Sequence, residues 1–464
     1  MFDLEQIARI VDGSYSGKKV NTQLDGISTD SRNLTPGQLF VPLRGERFDG
    51  HDYLSQAVKN GAAACLSEEV VVGLSVPVVR VADTLQALGD IAAACRLQLN
   101  GPLIAITGSV GKTTTKEMLA TILEQVAPGL KTSGNFNNLI GLPLTLFDLE
   151  TKHQWAVLEM GTSAIGEIER LTEIAQPSIG IITNIGAAHL ETLQGLDGVS
   201  RAKGELYAGL RGGTAILNLD DPRVAQLPVA NGVKKITYGL SAEAQIRAED
   251  ITENDKGVCF KLVLAEQPYH VQLSIPGRHN VSNALAAAAA AMEIQVPAEK
   301  IVSGLTQFVS IAGRLDLYPL PCGGVLLDDS YNSNPLSATA ALDALGALSG
   351  QGRYVAVLGD MLELGEKSVL MHEELGAQAA KVADVLIGVG NFSADLCRGA
   401  KAAGMKSEQL IEVLDTAEAI KYLHESQRPG DKILVKGSRG VHLEQLANAL
   451  KATVETSSNE TKGS

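Results

Sequence analysis

The stretch Gly108-Ser109-Val110-Gly111-Lys112-Thr113-Thr114 carries the residue types that hold a polyphosphate. Gly108 and Gly111 let backbone amides approach phosphate oxygens, a helix N-terminus behind them adds positive potential, and Lys112 supplies a point charge. Thr113 or Thr114 can offer a hydroxyl to Mg²⁺. The apolar run Leu103-Ile104-Ala105-Ile106, ahead of Thr107, reads as a strand. Met118, Leu119, Ile122, Leu123 and Val126 read as the buried face of a following helix. Strand, glycine turn with lysine, and helix together point to ATP rather than to an ordinary turn. The spacing is GxxGKT, because Ile106 stands where a longer loop has its first glycine.

A Mg·ATP site needs further oxygen or imidazole ligands, and open α/β sheets collect them at the carboxyl ends of neighbouring strands. Glu159 follows the apolar run Trp155-Ala156-Val157-Leu158, and His189 lies in the loop after Ile179-Gly180-Ile181-Ile182-Thr183. A lone acid or histidine is more often structural or solvated than a ligand. Their shared position is what singles these two out.

The elements that must position such groups read as α/β throughout. A helical pattern from Asp83 to Leu99 stops at Asn100-Gly101-Pro102, which marks a boundary near residue 100. Upstream, Leu39 to Leu43 and Val76 to Val81 alternate with helical segments, giving a small α/β domain over 1–100. Over 101–313, strands at Leu103 to Thr107, Trp155 to Leu158, Ile179 to Thr183 and Thr214 to Asn218 alternate with helices, so the sheet should be mostly parallel. Over 314–454, strands at Val325 to Leu327, Tyr354 to Leu358, Val385 to Val389 and Lys432 to Val435 predict a separate doubly wound, Rossmann-like domain. The run Ala284 to Met292 reads as a tightly packed helix, and 455–464 as a disordered tail.

Composition narrows the function class. With 464 residues, 45% hydrophobic and 20% charged, the chain should be globular and multidomain, and its net charge of -14 argues against nucleic acid as main partner. The start lacks a signal-peptide layout and no run is long enough to span a bilayer, so membrane insertion is not expected. Five scattered cysteines without CxxC spacing fit a reducing cytoplasm.

Beyond these readings, ordered segments across nearly the whole chain resemble the Mur ligases, specifically the type that adds D-alanyl-D-alanine to UDP-N-acetylmuramoyl-tripeptide. They include Ser28-Thr29-Asp30-Ser31-Arg32, Arg44-Gly45-Glu46-Arg47-Phe48-Asp49-Gly50-His51, the phosphate loop, and Ser133-Gly134-Asn135-Phe136-Asn137-Asn138. Ala202-Lys203-Gly204-Glu205, Pro276-Gly277-Arg278-His279-Asn280, Gly313-Arg314-Leu315, Asp328 to Pro335 and Gly359 to Gly365 continue the series. The resemblance implies a cytoplasmic ATP-dependent peptide ligase, expected to be a monomer, that forms an acyl phosphate. Catalytic roles then fall on Lys112, Glu159, His189 and Lys203. Mg²⁺ would sit on Thr113 or Thr114, Glu159, His189 and Lys203, the last matching a lysine that is carbamylated in several members. ATP would meet Thr107 to Thr114, Asn280, and Arg314 with Asp329 from the third domain. Ser28, Asp30, Ser31, Arg32, Arg44, Gly45, Phe48, Asp49, Gly50 and His51 would hold the uridine diphosphate. Asn135, Asn137, Asn138, Tyr331, Asn332 and Asn334 would also touch substrate, and Lys436, Ser438 and Arg439 would meet the dipeptide carboxylate.

Three rivals compete. The diaminopimelate-adding ligases carry an Asp-Asn-Pro-Arg motif that is not found here, and against folylpolyglutamate synthase the segments DDSYNSNP and GDMLELGE look like the dipeptide-adding type. A nucleotide-hydrolysing regulatory module would not need Glu159, His189, Lys203, Arg314 and Asp329 together.

Overall fold

The computed structural model describes residues 2–16, 23–254, 257–321 and 323–460, and the fold is α/β, with three sheets that follow one another along the chain. In the first, strands Gly26–Ser28, Gln38–Phe40, Ala64–Ser67 and Val78–Arg80 run parallel, and Ser14–Ser16 closes one edge antiparallel. The helix Thr84–Arg96 leads out of this unit. Its N-cap is Asp83, whose side chain accepts from Gln86 N at 2.8 Å and so satisfies an otherwise orphaned amide.

In the central sheet Leu103–Thr107 is flanked by Ala156–Glu159 and Ile179–Ile182, and every residue of these three strands is buried. Continuous apolar runs are what a parallel sheet covered on both faces demands. The register pairs Ile106 with Glu159 and Thr107 with Ile182. The phosphate loop, Glu159 and the turn at Thr183 therefore leave the sheet at one carboxyl edge.

The helix Lys112–Glu124 lies under His279–Glu293 and Ala298–Gln307. Ala284 and Ala286 to Ala291 are fully buried, so small side chains let this helix pack closely, as the sequence suggested. Val126 departs from that reading. It lies past the helix end and is exposed, because the helix closes at Gln125.

An unforeseen antiparallel extension, Ile246–Asn254, Gly257–Leu264 and Gln267–Leu273, widens the central sheet to nine strands. Between the last two, Ala265 and Glu266 both take positive φ (47° and 62°), the form a two-residue hairpin needs to match strand twist.

The third sheet orders Asp316–Pro319, Val325–Asp328, Lys432–Lys436, Tyr354–Gly359, Val385–Val389 and Leu410–Val413, all parallel except the first. The final helix runs Glu444–Glu460, into the segment expected to be disordered from 455; residues 461–464 lie outside the described ones. Leu446, Ala447 and Leu450 anchor that helix in the core, and extending a nucleated helix costs little per residue. Among the described residues, no helix is long and apolar enough to cross a membrane.

Candidate functional site

A cleft of about 970 Å³ opens at the carboxyl edge of the central sheet and is closed on its far side by the third unit. Its floor is the phosphate loop. Gly108 (φ 151°) and Gly111 (φ 82°) are held where side chains do not fit: a Cβ would collide with Thr183 Oγ1 at the first and Asn283 Oδ1 at the second. Asn184 frames the loop between them, with Oδ1 accepting from Val110 N (3.0 Å) and Nδ2 donating to Val110 O (3.1 Å). Ser109 is tied to Gly186 in the same way.

Lys112 curls back and donates from Nζ to Gly108 O at 2.8 Å. Burial pushes its ammonium below the ordinary pKa; Glu159 opposes that shift and Arg314 adds to it. Thr113 Oγ1 donates to Glu159 Oε2 at 2.8 Å, and Asn137 Nδ2 to Glu159 Oε1 at 2.9 Å. Both carboxylate oxygens are thus held in fixed directions. Lys203 is buried on Leu196–Gly209, pairs with no carboxylate among the described residues, and is held well below its usual pKa by burial and by Lys112.

The third unit contributes Arg314, whose guanidinium lies 4.1 Å from the centre of the Tyr331 ring, and Asp329, which accepts from Leu315 N at 3.2 Å. Burial pushes the Asp329 carboxyl up, while its partner Lys436, at 2.6 Å, pulls it down. Asn334 caps the helix Pro335–Ala347 and reaches Ser109 O at 3.5 Å, so a residue of the third unit touches the phosphate loop.

Of the groups singled out in the sequence, Gly108 to Thr114, Asn137, Asn138, Glu159, His189, Lys203, Asn280, Arg314, Asp329, Tyr331, Asn332, Asn334 and Lys436 line this one cleft. Some also make contacts that the sequence did not predict. Lys436 spends its charge on Asp329 and on Asn332 O (2.9 Å), because both lie at the edge of its own sheet. Ser438 is buried away from the cleft, accepting from Leu362 N and donating to Ser333 O. Asn138 accepts from Ile140 N and Gly141 N at the start of a helix, and Asn280 is bonded to Pro276 O and Asn283. Thr107 lies buried beneath the loop, and Asn135 and Arg439 are outside the cleft lining.

The first-unit residues Ser28, Asp30, Ser31, Arg32, Arg44, Gly45, Phe48, Asp49, Gly50 and His51 do not join the cleft either. They gather at the carboxyl edge of their own sheet. There Arg32 pairs with Asp30, Arg44 with Asp49, Glu68 and Glu69, and His51 Nδ1 lies 2.6 Å from Asp49. Sequence reading missed Thr183, Asn184 and Asn283 as builders of the loop, and Glu363, which pairs with His189. The rule that selected Glu159 applies equally to Thr183 and Asn184, at the end of the next strand. Nothing local marks Asn283, and Glu363 lay within the segment Gly359 to Gly365 without a role of its own.

Models of known families match the chain in order. That described as "Mur ligase family, catalytic domain" matches residues 23–96, "Mur ligase middle domain" 106–291, and "Mur ligase, glutamate ligase domain" 313–439. The UDP-N-acetylmuramoyl-tripeptide--D-alanyl-D-alanine ligase of Escherichia coli (strain K12) is 38% identical over 453 residues, covering 97% of this chain and 98% of its own. Among solved structures, MurF from Acinetobacter baumannii superposes with a TM-score of 0.88 at 35% identity, covering 97% of this chain and 98% of its own. MurF ligase from Thermotoga maritima in complex with ADP does so with 0.83 at 27%, covering 94% and 99%. Sequence relatedness and a shared three-sheet architecture agree along nearly the entire length, and the chain belongs to the Mur ligase family.

Proposed function

We propose that this chain is an ATP-dependent ligase that joins D-alanyl-D-alanine to UDP-N-acetylmuramoyl-tripeptide in the making of a peptidoglycan precursor. The observation that carries this reading is the single cleft in which a phosphate loop faces Arg314 and Asp329 from another sheet. A hydrolytic switch needs only the first of these.

The reaction couples two displacements. The tripeptide's terminal carboxylate oxygen attacks the γ-phosphorus, the bond to the β-phosphate oxygen breaks, and ADP leaves. The dipeptide amine then attacks the acyl carbon, loses a proton, and phosphate departs from the tetrahedral adduct. Positioning and charge neutralisation are the work left to the protein. Loop amides and Lys112 hold the β and γ phosphates, while Arg314, kept in place by Tyr331, meets the spreading negative charge from the other side.

Mg²⁺ fits the donors present. Thr113 Oγ1 and Glu159 Oε2 converge at 2.8 Å as hard oxygen ligands, and His189 lines the same cleft. A bound Mg²⁺ would neutralise phosphate charge there. Lys203, buried without a carboxylate partner among the described residues, favours its uncharged amine, the form that carbamylation requires. At the carboxyl edge of the first sheet, Ser28 to Arg32 and Arg44 to His51 take the uridine diphosphate. Action as a monomer in the cytoplasm completes the reading.

The test is phosphate release from ATP with UDP-N-acetylmuramoyl-tripeptide, with and without D-alanyl-D-alanine. Release that depends on the dipeptide is expected. Equal release without it, or preference for a free amino acid or a folate, refutes the assignment.

A further inference from the structure

His189 and Glu363 come from different sheets. His189 precedes the short helix Leu190–Leu193 beyond the strand Ile179–Ile182, and Glu363 lies in the loop after Tyr354–Gly359. In the folded chain His189 Nδ1 lies against the Glu363 carboxylate. Behind that pair, Glu191 N donates to Glu363 O at 3.4 Å, and Gly365 packs against Glu191.

A polar contact between side chains 37% and 57% exposed is ordinarily worth little. The backbone argues for more. His189 and Glu363 are both in left-handed conformation, with φ of 52° and 64°, which residues bearing a Cβ avoid. Strain of this kind persists where surrounding structure imposes it, and it collects at functional positions.

Geometry supplies the purpose. With Nδ1 turned to Glu363, Nε2 is the nitrogen left for the cleft that His189 lines together with Glu159 and Lys203. A carboxylate behind an imidazole keeps the proton on the near nitrogen, so the far one presents its lone pair in a set direction. We propose that Glu363 is a positioning residue, which orients His189 only when the third unit closes on the central one. Closure and completion of the site are then one event. This inference rests on the function proposed above.

The experiment combines exchange and kinetics on Glu363→Ala, Glu363→Gln, His189→Ala and the double variant. In the ligand-free protein, amide hydrogen exchange of Glu363→Ala should rise in 185–195 as well as in 360–367. In the ligase assay kcat should fall about 10- to 100-fold, the range for loss of a carboxylate behind a ligand histidine. Gln, which still accepts from Nδ1–H, should restore part of that loss. The double variant should be no slower than His189→Ala alone, since the two residues act through one ring. Additive losses, a kcat for Glu363→Ala within twofold of the unmodified protein, or exchange changes confined to 360–367 overturn the inference. If the unmodified protein shows no dipeptide-dependent phosphate release, the proposed function fails, while the exchange data still judge the contact between units.

Discussion

Lys112 is a cation that burial works against, held by a carbonyl of its own loop and by the field of Glu159. Such a charge is kept for what it meets in the reaction. Lys112→Ala should therefore lower kcat by about a hundred- to a thousandfold, the usual loss for one electrostatic donor, with the circular dichroism spectrum and thermal midpoint unchanged. Gly111→Ala should behave differently. Its φ of 82° costs a side chain about 1–2 kcal/mol, and the new Cβ must also displace Asn283 Oδ1. Urea unfolding should show a loss at least that large. His279 offers a pH test: burial, then the nearby Lys436, push its pKa down to about 4 from 6.5. Between those values the unfolded chain binds more protons than the folded one, so stability present above pH 6.5 is lost as pH falls toward 4. Urea midpoints followed over that window should fall less steeply in His279→Gln than in the unmodified protein.

Among elements, the helix Pro335–Ala347 shows how a cap can serve two ends. Asn334 accepts from Ser337 N at 2.9 Å, Ser337 returns the bond, and the same Asn334 side chain reaches Ser109 O. Asn334→Ala should cost about 1 kcal/mol in thermal or urea unfolding, as N-cap losses do, and should also raise KM for ATP. A stability loss with unchanged KM would reduce Asn334 to a cap. The helix start was legible from Asn334-Pro335, since proline suits the first turn. Its second contact was not, because 225 residues separate Asn334 from Ser109. The antiparallel extension was missed for a related reason. Its alternating burial at Val258, Phe260 and Leu262 is a weak local signal, and the strands find partners only in each other and in the sheet edge.

In the whole molecule, the cleft is shared between the central and third sheets, so a nucleotide that fills it should bind both. Ligand at a hundred times its Kd stabilises the folded form by about 2.7 kcal/mol. Calorimetry with ADP should move every transition that involves the central or third unit, and Arg314→Ala should uncouple the third. A shift confined to the central unit would deny the third a part in nucleotide binding. The phosphate loop, its strand and helix, and the alternation that makes three α/β units follow from the sequence by itself, because they rest on periodicity and on backbone freedom within a few residues. Glu159 was readable too, as the first acid after a buried strand. The folded chain alone decided that Lys436 neutralises Asp329, that Ser438 is spent inside, that Asn184 frames the loop, and that Glu363 stands behind His189. Each depends on strand register or on the closure of one unit over another, and such contacts between residues far apart leave no spacing in the chain to read.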